Sequence, residues 1–316
     1  MSGCYYMQAA RGQLEVMRAS EPIEDVVAAS ETPEELARRL RLVGDAREFS
    51  IAKLGLPDNK SYRSYADINR DYVVWNVFAA AEFSLQPKTW CFPVAGCVGY
   101  RGYFSEQAAR RKADKLESKG FDVAVGGVSA YSTLGRFSDP VLNTMMHWDD
   151  ADLVATIFHE LAHQLLYVKN DSEFNESFAT VVEQVGIERW LASRSEQEAL
   201  EAYLERRELR EKVIRLVLDA RSDLERLYRL RVAPEEMRRR KAARFDELGT
   251  ALNAEMLRTG REAPDWVGEG LNNARLASMA LYHGRVREFL DLLAECDEDL
   301  QCFYREATRL ARTSGS

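Results

Sequence analysis

Two histidines one helical turn apart, with a glutamate beside the first, are the residues best placed to do chemistry: His159-Glu160-Leu161-Ala162-His163. In an α-helix, positions i and i+4 project from one face, so both imidazoles can reach a single Zn²⁺. Glu160 stands next to that face, where it can take a proton from a water held by the metal. The flanks, 153–168, are apolar at helical spacing and lack Gly and Pro, which predicts a helix through the motif. A zinc hydrolase takes three protein ligands and leaves one position for water. The following stretch offers Glu173, Glu176 and Glu183, with Phe174, Phe178, Val181 and Val185 as an apolar stripe. A second helix is therefore expected, joined to the first by the short polar turn Lys169-Asn170-Asp171. Glu176 is the expected third ligand. Glu173 suits the positive N-terminal end of its helix. Glu183 is expected either to orient a histidine from behind or to be a surface charge.

The elements that must position these groups read as α+β: mostly helical, with a small sheet beside the motif helix and helices on one side of that sheet. Residues 7–54 read as helical, with one helix over 8–17 and another over 34–41 after Thr32-Pro33. Strands are expected over 72–83, 97–104 and 122–131, with an amphipathic helix over 105–119 that ends at Gly120. A highly charged stretch at about 195–260, broken at Pro234, predicts two antiparallel helices within a single domain spanning 1–316. The run Arg238-Arg239-Arg240-Lys241 is interleaved with acids and reads as a solvated helix face.

Asn175-Glu176-Ser177-Phe178-Ala179, with Glu183 beyond it, resembles the third-ligand helix of the alanyl-aminopeptidase family, whose pattern is Asn-Glu-Gly-Phe-Ala. The spacer from the histidine pair is shorter here. The whole chain looks more like the bacterial "putative aminopeptidase" family of the glutamate-zincins (gluzincins), relatives of thermolysin-like enzymes. Leu56-Pro-Asp-Asn59, Trp90-Cys-Phe-Pro-Val-Ala-Gly-Cys97, Tyr100-Arg-Gly-Tyr-Phe104 and Tyr131-Ser-Thr-Leu-Gly135 carry that likeness. Phe137-x-Asp139-Pro140 and Leu271-Asn-Asn-Ala-Arg-Leu276 extend it over nearly all of the chain. The resemblance implies a zincin-like fold and a zinc metallopeptidase, by family name an aminopeptidase. The alternatives are a zinc endopeptidase acting on envelope proteins, or a catalytically inactive envelope lipoprotein with a binding role.

Substrate contacts are expected along Gly126-Gly127-Val128-Ser129-Ala130-Tyr131. In zincins an edge strand before the motif helix binds peptide main chain, and a glycine permits close approach. Ala130 and Tyr131 are the expected contacts; the alternative is a Gly-rich strand end and turn. The alanyl-aminopeptidase family has Gly-x-x-Glu-Asn there, whose acid holds the free amine. No acid occupies 126–132 in this chain. For the oxyanion of a tetrahedral intermediate, Tyr282 is the favoured donor over His283, Arg275 and Tyr131. Asn272 and Asn273 are placed to cap the helix that follows them.

The chain has 316 residues, 46% hydrophobic and 30% charged, with a formal net charge of −8. That size and balance suit a globular fold, and the acidic net charge argues against a nucleic-acid partner. No apolar run reaches the length of a membrane span. Met1-Ser2-Gly3-Cys4 looks like the end of a bacterial lipobox, and the resembled family commonly begins with a lipoprotein signal. A lipid on Cys4 and an envelope location, on the periplasmic side, are expected on that basis. The other four cysteines form two close pairs, Cys91/Cys97 and Cys296/Cys302, which read as disulfides of an oxidising compartment. Free thiols in a cytoplasmic protein are the alternative.

Overall fold

The computed structural model describes residues 2–92, 96–130, 132–267, 270–283 and 285–314, with the side chains of 2–4, 265, 281–283, 313 and 314 outside that description. A short extended segment splits the N-terminal region, which the sequence pattern had suggested was helical throughout. Helix α1 (Ser2–Arg18) runs into strand β1 (Ser20–Pro22), then α2 (Ile23–Ala28) and α3 (Glu34–Leu54). Pro22 and Pro33 each stand immediately before a helix, where a fixed φ costs nothing and no N–H is missed. Thr32 does not cap α3; its hydroxyl donates to the Val26 carbonyl, closing the α2–α3 turn.

Next come β2 (Ser64–Ala66), β3 (Val74–Ala81), β4 (Trp90–Phe92), β5 (Gly96–Val98), β6 (Arg101–Tyr103), helix α4 (Glu106–Glu117), β7 (Phe121–Val128) and β8 (Val141–Leu142). The expected strand over 97–104 is in fact two, belonging to different sheets. Residues 96–98 pair with β4, and 101–103 pair with β3. The central sheet is antiparallel in the order β6-β3-β7, and a second sheet joins β1, β2 and β8. Helices cover both faces of the central sheet, not one. Val77, Ala79 and Val123 pack against Ala109, Ala113 and Leu116 of α4. Phe78, Ala80 and Ala124 turn the other way, toward Tyr100 and Ala274. Period-2 alternation with both sets apolar is the pattern of a strand buried on two sides.

The remaining helices are α5 (Asp150–Leu165), α6 (Ser172–Ser193), α7 (Gln197–Tyr228), α8 (Pro234–Arg258), α9 (Asn273–His283), α10 (Val286–Glu295) and α11 (Leu300–Ser314). Asp150 and Asp152 in the first turn of α5 favour its positive end. Ile157, Phe158, Leu161 and Ala162 then bury its inner face completely. Helix α6 approaches α5 closely at Gly186, where a Cβ would lie 2.7 Å from the Phe158 ring. On its other side α6 buries Phe174 and Phe178 against Phe289 of α10 and Phe303 of α11. The α10–α11 turn carries the Cys296–Cys302 disulfide. A second disulfide, Cys91–Cys97, ties β4 to β5 at directly opposed positions.

Helices α7 and α8 pack as a hairpin through Leu209, Val213, Val217 and Leu224 against Phe245, Leu248 and Leu252. Lys241 departs from the solvated reading of its basic run. Its ammonium lies 2.6 Å from Asp122 and also donates to the Glu82 carbonyl, so it docks the hairpin on the central sheet. Arg239 and Arg240 do stay at the surface, paired with Glu236.

Candidate metal centre

Helix α5 presents His159 and His163 on one face, and α6 brings Glu176 opposite them. The Nε2 of His159 is 3.4 Å from Glu176 Oε2, and the Nε2 of His163 is 3.7 Å from Oε1. One ligating atom from each of the three residues lies within 4.8 Å of the others. Four-coordinate zinc with bonds of about 2.0 Å holds its ligands about 3.3 Å apart, so this donor set fits the ion. Glu173 is not in the cluster; it occupies the first turn of α6.

Local sequence explains the placement. Asp171 caps α6 by accepting the Phe174 N–H at 2.9 Å. Asn175 folds back on the connection, donating to the Val168 carbonyl and accepting the Val168 N–H. The connection between the helices is thereby pinned by the residue next to Glu176. This role was not read from the sequence, where Asn175 was only part of a motif. Behind the cluster, Glu183 lies 3.0 Å from His159 Nδ1. That contact fixes the ring so that Nε2 faces Glu176.

Charge in the cluster is strongly coupled. Burial works against a charged His159, but Glu176 and Glu183 outweigh it and hold its pKa well above the usual value. Burial likewise pushes against an ionised Glu176, and the two histidines overcome it, leaving the carboxyl well below its usual range. Glu160 goes the other way. Burial dominates there and raises its carboxyl, although both histidines oppose this. A carboxyl poised above its ordinary value is suited to taking and returning a proton.

The cluster opens into a cavity of about 380 Å³ between α5, α6 and the central sheet. Its walls are largely aromatic and aliphatic, including Tyr5, Phe92, Tyr100, Phe104 and Tyr167. Glu160 and Glu176 are the carboxylates that line it among the described residues. Burial, reinforced by the nearby carboxyls of Glu176 and Glu160, raises the Tyr100 hydroxyl far above its usual range. It therefore stays protonated and available as a donor. Sequence reasoning missed Tyr100 as a site residue, because an aromatic in a strand-like run reads as core.

The other expected site residues fall as follows. Ala130 lines the cavity. Tyr131 lies outside the described residues. Tyr282 and His283 sit in the last turn of α9, with side chains outside the description. Arg275 does not join the cavity; it reaches toward the Val125 carbonyl of β7 at 3.4 Å and lies over Trp266. Gly127 does not leave room for a peptide, since a Cβ there would lie 2.4 Å from the Tyr72 ring, whereas the nearest atom to a Cβ at Gly126 would be Arg275 Nη1, at 3.9 Å. Asn272 caps α9 by accepting the Arg275 N–H, while Asn273 bonds to the end of β3. Cys4 falls within α1, its side chain outside the description.

Residues distant in sequence brace the far end of α5. Gln164, next to His163, accepts from Asn59 at 2.7 Å and donates toward Ser61 and Asp139. Asp139, 2% exposed, accepts from the Thr133 N–H and hydroxyl. Buried Arg47 holds the carbonyls of Asn59 and Ser61 in turn. The network fixes the loop whose Ser132 and Leu134 wall the cavity.

The architecture defines a mostly helical α+β protein with a His-His-Glu triad able to hold a metal at the floor of a cleft. The chain belongs to the family described as "Putative aminopeptidase", whose model matches residues 4–316. No curated protein and no solved structure matches it.

Proposed function

We propose that this protein is a zinc-dependent peptidase of the glutamate-zincin type, with His159, His163 and Glu176 as the metal ligands. The observation that carries the reading is the spacing of the three donors beside Glu160 in an aromatic-walled cavity. The family description adds peptide hydrolysis, and an aminopeptidase in particular. Zinc at such a site supplies Lewis acidity toward a peptide carbonyl and toward water. Glu160 takes the proton of the attacking water on a carboxylate oxygen and passes it to the leaving amine. Tyr100 donates its hydroxyl hydrogen to the carbonyl oxygen as negative charge develops there. Glu183 keeps the His159 ring oriented.

An endopeptidase is the second reading, favoured by one observation. Among the described residues no carboxylate in the cavity is left over to hold a free α-amine once Glu160 and Glu176 are assigned. The close cysteine pairs suit an oxidising compartment, and we place the protein on the periplasmic face of the envelope with a lipid on Cys4. No helix among the described residues is long and apolar enough to cross a membrane.

The test is digestion of a mixed peptide library by zinc-loaded protein, read by mass spectrometry. Cleavage that a chelator abolishes and added zinc restores is the expected result; no cleavage of any peptide would overturn the reading. In the same assay Tyr100→Phe should lower kcat about 10²-fold, the usual cost of one oxyanion donor, with zinc content unchanged. Full activity in that variant would remove Tyr100 from the mechanism.

A further inference from the structure

We propose that Asn76 is a substrate-binding residue that grips peptide main chain through a neutral amide. The cavity then takes the interior of a chain, with a bulky apolar side chain beside the bond cut, in place of a free α-amine. The inference rests on the peptidase reading and names its substrate class.

Asn76 lies in β3 on the cavity wall and is only 6% exposed. No hydrogen bond reaches its side-chain amide among the described residues. Val74, Val98, Tyr100 and Phe104 line the same cavity. The Asn76 amide is not among the fully enclosed unpaired polar atoms, so it opens onto the cavity, and a β-branched residue would serve the strand better. The fold also makes room for it. Its cross-strand partner on β6 is Gly102, where a Cβ would lie 3.1 Å from Asn76 Oδ1 and 2.9 Å from Val74 Cγ1. A larger residue at 102 would crowd both side chains and force them to shift.

An amide offers one acceptor and two donor hydrogens, which matches both polar groups of a peptide unit. It carries no charge, so it gives no preference to an ammonium group over a blocked amide. The aromatic rings that line the same cavity provide an apolar receiver for a large side chain. Both carboxylates facing the cavity among the described residues are already committed to the metal and to proton transfer.

Two measurements test this. In the first, metal-free wild type and Asn76→Ala are titrated calorimetrically with an N-acetylated, C-amidated hexapeptide carrying a central Phe. Wild type should bind it, and the variant should bind about ten-fold more weakly, the worth of one neutral hydrogen bond. In the second, zinc-loaded proteins are compared on that blocked peptide and on phenylalaninamide-type substrates with a free amine. Asn76→Ala should raise KM about ten-fold with kcat nearly unchanged. Asn76→Asp should move preference toward the free-amine substrates by about ten-fold, since it places a carboxylate where the amide stood. Equal binding by wild type and Asn76→Ala overturns the proposal, as does no binding by the metal-free wild type. Wild type that cleaves only free-amine substrates also overturns it. Zinc-loaded wild type that cleaves nothing counts against the peptidase reading, while the calorimetric comparison still decides the role of Asn76.

Discussion

Glu160→Gln retains its zinc and loses peptide hydrolysis by about 10³-fold or more, the upper part of the range for removing a general base. The substitution keeps the volume and hydrogen-bonding reach of the side chain but cannot accept the proton of water. Glu160 is not one of the three clustered donors, so the variant should keep its metal. Its carboxyl is raised by burial beside those donors, which makes it a stronger base toward the proton of the attacking water. Zinc content and kcat measured on the same preparation separate chemistry from assembly. Near-wild-type turnover with zinc bound would show that another group moves the proton.

Phe178→Ala should cost about 3–5 kcal/mol, the range for deleting a fully buried aromatic ring. Against a total of roughly 5–15 kcal/mol for a folded domain, that is a large share. Phe178 is 0% exposed, stacks on Phe303 at 5.5 Å between centroids, and meets Phe289 and Tyr304 at their edges. These rings set the rotation of α6, and with it the direction in which Glu176 points. Denaturant unfolding of wild type and variant measures the loss as a shift in midpoint at constant slope. A loss below about 1 kcal/mol would mean that the α6–α10–α11 packing does not hold the helix in place.

The motif helix was legible in the sequence because its chemistry and its packing share one period. His159 and His163 repeat at i, i+4, and the apolar residues around them, Ile157, Leu161 and Leu165 with Phe158 and Ala162, repeat at the same spacing. Glu176 followed from a short connection and an apolar stripe that leaves one face of α6 free. The cavity's other wall was not legible. Alternation along 74–81 shows that successive residues face opposite ways, but not which side holds the cleft, so Asn76 gave no signal, and Tyr100 stood out only as part of a motif. The run 97–104 hides a break, because apolar and aromatic residues continue across it while the chain changes sheets. The two-sided cover of the central sheet depends on α9, which packs from nearly 150 residues away. Contacts such as Lys241–Asp122 and Asn59–Gln164 are likewise set by topology and leave no local trace.

The most direct test of the whole account is the metal content of purified protein, wild type beside His159→Ala. The account predicts about one zinc per wild-type chain and its loss in the variant, since a three-ligand site cannot spare a donor. Wild type that takes up no zinc, even after incubation with excess metal, would contradict it.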